Sequence, residues 1–175
     1  MSEEIIYVGP LSAVASTVEA SGVGYLVTLM NDQMMVTRPP SIEPGRHLRL
    51  VMNDISEPMM GLVPPNDSHV RELIEFVVDW DRRLPILIHC WAGISRSTAA
   101  AFITMCALNP GIDEELLAQT LRTASPTATP NKRLILLADG LLKRDGRMSR
   151  AVEGIGRGQS ASEGIPFQLP ARLAS

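Results

Sequence analysis

The chain carries only two cysteines, Cys90 and Cys106, among its 175 residues. Two cysteines make no disulfide framework, so stability must come from a core, and the thiols suit a reducing compartment. Basic charge is not in excess: the formal net charge is −3, which gives no ground for non-specific nucleic-acid binding. No apolar run approaches membrane-spanning length, so no membrane partner is expected. The opening residues Met1, Ser2, Glu3 and Glu4 are acidic and lack the apolar centre of a signal peptide. A cytoplasmic location is the expectation. Internal repeats are absent too. What remains is 45 % hydrophobic and 20 % charged, enough apolar material for a single domain with a sizeable core.

Residues 86–98 read I-L-I-H-C-W-A-G-I-S-R-S-T. An apolar strand-like run ends at His89-Cys90, a loop follows, and Arg96 stands at the mouth of a helix-like stretch. A loop that curls into a nest and enters a helix points several N–H groups inward. The helix adds its own free N–H groups and its positive dipole end. Trp91, Ala92, Gly93, Ile94, Ser95 and Arg96 would line such a cradle, sized for one phosphate, with Gly93 supplying the backbone freedom. The same field lowers the pKa of Cys90 from its free value of roughly 8.5, giving a thiolate at the floor. Arg96 is a permanently charged fork, able to hold two equatorial oxygens into the transition state. Ser97 can donate to the sulfur and improve it as a leaving group. His89 is expected behind the loop, either helping to hold the thiolate or as a satisfied core histidine. Cys106 is expected as buried helix filler, with an oxidised Cys90–Cys106 pair as the alternative.

Strands are expected at Ile5–Val8, Tyr25–Met30, His47–Met52 and Ile86–Ile88, the last buried on both faces as at the centre of a parallel sheet. Helices are expected over 11–20, from Asp67 or Ser68 to about Arg82, and over 97–108, 113–124 and 131–143, with a weaker one near 147–155. Val70, Leu73, Ile74, Val77 and Trp80 mark the buried stripe of the second helix. The architecture is α/β: a central, mostly parallel sheet flanked by helices, with the loop at the carboxyl end of the central strand, where open α/β sheets bind ligands. Residues 1–156 form the expected domain. Residues 157–175, rich in Gly, Ser, Gln and Pro, are expected as a flexible tail.

The segment His89-Cys90-(Trp91 to Ser95)-Arg96-Ser97 resembles the H-C-x5-R-[ST] motif of the cysteine-dependent protein tyrosine phosphatase superfamily. The chain is most similar to small bacterial phosphatases of the dual-specificity-like kind, over roughly residues 5–145. The resemblance implies the phosphotyrosine protein phosphatase-like fold, a phosphocysteine intermediate, and no metal or cofactor. It also implies a general-acid aspartate on a loop after a strand, in an N-D-x-x-E context. Asn53-Asp54-Ile55-Ser56-Glu57 matches, which makes Asp54 the acid and Glu57 the second choice; the competing role for Asp54 is a turn cap. Arg122 and Pro130-Asn131 resemble a downstream element whose asparagine braces the phosphate loop, although Asn131 would equally serve as a helix N-cap. The recognition segment of classical tyrosine phosphatases has no counterpart.

Trp91, Ala92, Ile94 and Ser95 bring no charge to the loop. The implied substrate is therefore a monophosphate, such as a phosphotyrosine protein, with phosphoserine and phosphothreonine next. Two roles stand for Trp91, packing on an aromatic substrate ring or filling a core gap. The alternatives are a phosphatase of a small non-protein phosphate and a non-catalytic phosphoprotein-binding module. Oligomeric state is left open.

Overall fold

The computed structural model describes residues 4–34 and 36–174. The acidic stretch Met1–Glu3 lies outside them. Five strands form one sheet: β1 (Ile5–Pro10), β2 (Tyr25–Met30), β3 (His47–Val51), β4 (Ile86–Cys90) and β5 (Phe167–Pro170), in the order β3-β2-β4-β1-β5. The first four run parallel, and β5 pairs antiparallel with β1. Among the described residues six α-helices flank the sheet: α1 (Val14–Ser21), α2 (Asp67–Asp79), α3 (Arg96–Leu108), α4 (Glu114–Ala124), α5 (Lys132–Leu141) and α6 (Arg147–Ile155). The expected α/β architecture is thus the one observed.

Side-chain alternation along the strands sorts the core into two layers. Leu26 and Leu87 meet Val14 and Val18 of α1 on one face. Val27, Ile86, Ile88 and Cys90 join the larger core with α2 to α6 on the other. Helix α3 is the axis of that second layer. Every residue from Arg96 to Cys106 is buried, and its run Ala99-Ala100-Ala101 lets it lie close to its neighbours. Its position matters, because its first turn receives the loop from β4.

Element edges shift where local chemistry decides them. The N-cap of α2 falls one residue before Asp67 and two before Ser68, the two caps expected. Asn66 takes the N-cap, its side chain accepting from His69 N–H while the His69 ring accepts from Asn66 N–H. The helix ends at Asp79 rather than Arg82, since Trp80 leaves the helical conformation and donates its indole N–H to Leu84 O at 2.9 Å. Helix α6 is held by Asp139, whose carboxylate accepts from Gly146, Met148 and Ser149 N–H at 2.7, 2.8 and 3.2 Å.

The largest correction concerns the expected tail 157–175, of which the described residues 157–174 form a strap rather than a free tail. Gln159 N–H donates to Pro126 O at 2.9 Å and Gly164 N–H to Ala92 O at 2.7 Å. The chain then enters β5, where Leu169 is buried, followed by buried Ala171. Asn109 clamps the end, donating to Ala171 O and accepting from Leu173 N–H, at 2.8 and 2.9 Å. The physical reason is the open edge of β1. An edge strand offers unpaired N–H and C=O groups, and a short segment with two apolar residues suffices to cover them.

Candidate functional site

The loop from Trp91 to Ser95 joins the end of β4 to the start of α3. Its carbonyls are tied outward. Trp91 O accepts from Leu11 N–H at 3.1 Å and Ala92 O from Gly164 N–H at 2.7 Å. Ile94 O accepts from Thr129 N–H at 2.9 Å and the Thr98 hydroxyl at 2.6 Å. Ser95 O accepts from Ala99 N–H at 3.0 Å and Asn131 N–H at 3.1 Å. Four of the five loop carbonyls are thus engaged. Among the described residues, none of the N–H groups from Ala92 to Arg96 has a hydrogen-bond acceptor. Successive free N–H groups are what a backbone nest for an anion needs.

Gly93 is required there twice over. Its φ is +70°, and an added Cβ would meet Pro10 N at 2.6 Å and Gly9 C at 2.7 Å. The loop therefore sits directly on the end of β1. From the other side the strap presses against it, since a Cβ on Gly164 would lie 2.8 Å from Gly93 O.

Cys90 is buried at the floor, with Sγ 3.1 Å from Ser97 Oγ, the contact expected for a hydroxyl serving the sulfur. A thiol donates across this contact; once the sulfur is a thiolate the hydroxyl donates instead. Arg96 is 7 % exposed and donates Nη1–H to Met52 O at 2.9 Å, which fixes its plane against the end of β3. Its buried Nε has no hydrogen-bond partner among the described residues. A buried guanidinium N–H without an acceptor is costly, and a phosphoryl oxygen in the cradle would satisfy it. Ser95, the N-cap of α3, makes no capping bond, so the first turn of α3 keeps its N–H groups free.

Asp54 comes to the same mouth. Its Oδ1 accepts from Ser95 Oγ at 2.7 Å and from Asn131 Nδ2 at 2.8 Å. Asn131 also donates to Ile55 O at 3.2 Å and caps α5 by accepting from Leu134 N–H at 3.0 Å. The N-cap role foreseen for Asn131 is thus observed, but its side chain braces the Asp54 loop rather than the phosphate loop, which it meets only through its backbone N–H to Ser95 O. Glu57 is exposed three residues further on. The Asp54 loop is closed at its neck: Asn53 N–H donates to Val63 O at 2.7 Å, and Val63 N–H to Asn53 Oδ1 at 2.8 Å.

Trp91 is 56 % exposed, so it fills no core gap. With Leu11, Ser12, Ala92, Ser162 and Glu163 it lines a cleft of about 330 Å³ beside the loop. The Ser12 hydroxyl donates to the Glu163 carboxylate across this cleft, linking the strap to the start of the chain. Arg122 donates to the carbonyls of Ser125, Pro126, Ala128, Ile155 and Gly156, binding together the segments behind Thr129. Cys106 is buried nine residues beyond Ser97 on α3, roughly 14 Å of helix rise away, too far to bridge to Cys90. Burial pushes its thiol up to about 12, which makes it inert.

His89 lies behind the loop, fully buried, its Nε2 2.8 Å from Thr28 Oγ1 and its Nδ1 3.4 Å from Cys90 O. Burial lowers its pKa to about 4, against the raising effect of the Cys90 carbonyl, so it is neutral. Sequence reasoning missed Thr28, Gly164 and the Met52 carbonyl. Thr28 left one signal: it is the lone polar side chain in the run Y-L-V-T-L-M.

No family model matches the sequence, and no curated protein matches it. Solved structures do. DUSP15 superposes with a TM-score of 0.62 at 18 % identity, over 89 % of this chain and 94 % of that one. A human tyrosine phosphatase-like serine/threonine/tyrosine-interacting protein gives 0.64 at 16 %, over 80 % and 92 %. PTPMT1, in a complex with PI(5)P, gives 0.60 at 13 %, over 85 % and 96 %. The identities are low and the coverage of both chains is high, so the likeness is one of fold: this chain has the fold of the dual-specificity and protein tyrosine phosphatases.

Proposed function

We propose that the chain is a phosphomonoester hydrolase that works through a phosphocysteine on Cys90, with phosphotyrosine proteins as its main substrates and phosphoserine and phosphothreonine proteins next. The observation that carries this reading is the convergence of a buried cysteine, a nest of free N–H groups and a buried arginine whose Nε lacks a partner. In this reading the Cys90 thiolate attacks phosphorus in line while Arg96 and the nest hold the equatorial oxygens. Asp54 gives a proton to the departing oxygen. It then takes one from the water that attacks the phosphocysteine, and the Ser97 hydroxyl stabilises the returning thiolate.

The substrate preference rests on the loop side chains. None is charged, which favours a single phosphate, and exposed Trp91 at the rim offers a face to an aromatic leaving group. A non-catalytic binding module is the weaker reading, because nucleophile, arginine and a carboxylate at the mouth are all present together. The test is hydrolysis of para-nitrophenyl phosphate near pH 6 under reducing conditions, comparing wild type with Cys90→Ser. Turnover by wild type alone supports the enzyme, whereas turnover surviving in Cys90→Ser removes the cysteine from the reaction. Silence in both, with inorganic phosphate still bound, would favour the binding module.

A further inference from the structure

Thr28 stands opposite His89 in the parallel pairing of β2 with β4. Its Oγ1 is 2.8 Å from His89 Nε2 and also 2.8 Å from Nε2 of His47, at the start of the neighbouring strand β3. Adding the 3.4 Å approach of His89 Nδ1 to Cys90 O gives one file of contacts across three adjacent strands. It ends on the peptide group of the cysteine itself.

The file has one consistent proton order. A carbonyl only accepts, so His89 Nδ1 must carry the proton at that end. A neutral imidazole has one N–H, which leaves Nε2 as an acceptor. Thr28 must then donate to His89, and its lone pair receives the Nε2–H of His47. The order requires His89 to be neutral, whereas His47 keeps its Nε2–H whether neutral or protonated. Burial is the largest influence holding each near a pKa of about 4. Arg49 and Arg38 also disfavour charge on His47, as His47 and Arg96 do on His89.

We propose that His47 and Thr28 are positioning residues for the nucleophile: they fix His89 in the tautomer whose Nδ1–H polarises the Cys90–Trp91 peptide at the floor of the cradle. The inference rests on Cys90 being the nucleophile. A polarised peptide carries more positive charge on its N–H side, which stabilises a thiolate beside it. The Ser97 hydroxyl stands 3.1 Å from the sulfur, the Arg96 guanidinium is held on Met52 O, and Asp54 accepts from Ser95 Oγ at the mouth. None of these is altered by changes at positions 28 and 47.

Thr28→Val keeps the shape and removes the hydroxyl, and the pH dependence of Cys90 alkylation by iodoacetamide reads the thiolate directly. Thr28→Val should move that titration up by about one unit and lower kcat/KM near pH 6 about tenfold. Thr28→Ser should behave as wild type. Half-buried His47 provides a second route that spares the core: His47→Leu should shift the titration in the same direction, and His47→Gln, which retains a donor, should restore it. An unchanged alkylation profile in both Thr28→Val and His47→Leu, with wild type active and Cys90→Ser inactive on para-nitrophenyl phosphate, overturns the inference alone. Turnover that survives Cys90→Ser overturns the phosphocysteine reading beneath it.

Discussion

Asp54 and Asn131 meet at 2.8 Å across the mouth of the cradle, although 77 residues separate them in the chain. The contact joins the loop after β3 to the cap of α5, so two distant segments are set against the phosphate loop together.

That pairing predicts a separation of stability from activity at Asn131. Asp is as good an N-cap as Asn, so Asn131→Asp should keep α5 and melt close to wild type. It also removes both donors and sets a carboxylate against Asp54. Hydrolysis of phosphates with poor leaving groups should fall about tenfold or more. Thermal melts and initial rates on the same samples check this; wild-type rates in Asn131→Asp would show that the contact does not serve catalysis.

Gly93 and Gly61 make a matched pair, with φ of +70° and +79°. Around Gly61 there is open space, whereas a Cβ on Gly93 meets the backbone of Gly9 and Pro10. Gly61→Ala should cost only the left-handed conformation, about 1 kcal/mol. Gly93→Ala should cost at least about 2 kcal/mol, since the loop must also move away from β1. Its affinity for inorganic phosphate should drop with it. Urea unfolding and phosphate titration of both variants test the difference, and equal behaviour would contradict the close packing.

The strap predicts that residues 157–175 are needed for the fold. Their removal uncovers the β1 edge, takes the Ala171 and Leu173 contacts from Asn109 and frees Ala92 O. A chain ending at residue 156 should melt far below wild type and bind phosphate poorly. Leu169→Ala, a milder change at a fully packed site, should cost about 2–4 kcal/mol. A truncated chain with an unchanged melting temperature would return the segment to the status of a free tail.

Acid should destabilise the fold through its buried imidazoles. His47 and His89 are held near a pKa of about 4, while an exposed imidazole titrates at 6.5. Between those values the unfolded chain binds more protons than the fold, so stability rises with pH there. It should be complete above about pH 6.5, decline as pH falls toward 4, and lose nothing more from these groups below that. His89 alone accounts for about 3 kcal/mol at most, and His47, being half solvated, for less. Urea unfolding at pH 7 and pH 4.5 should show the loss, and His89→Gln should flatten it. A fold as stable at pH 4.5 as at pH 7 would contradict the buried neutral pair.

Much of this architecture was legible in the sequence because its signals are local. The apolar run Ile86–Ile88 and the helical stripe of α2 each fall within one element, and Cys90, Arg96 and Ser97 are joined by one short loop. Where several residues could do the same job, the edge moved: Asn66, Asp67 and Ser68 are all capable caps, and Asn66 took the position. The strap was illegible for a different reason. Phe167–Pro170 holds a single fully buried side chain, Leu169, and its partners lie on β1 and at Asn109, far away in sequence. The support of His89 was hidden likewise, since Thr28 and His47 reach it only through sheet register.

The most direct measurement is to quench a reaction with para-nitrophenyl phosphate in acid within its first turnovers and map the protein by mass spectrometry. The account predicts one added phosphoryl group on the peptide containing Cys90, accumulating further in Asp54→Ala, where the intermediate is hydrolysed slowly, and absent from Cys90→Ser. Turnover without that label, or a label on any other residue, would contradict the claim that Cys90 is the nucleophile.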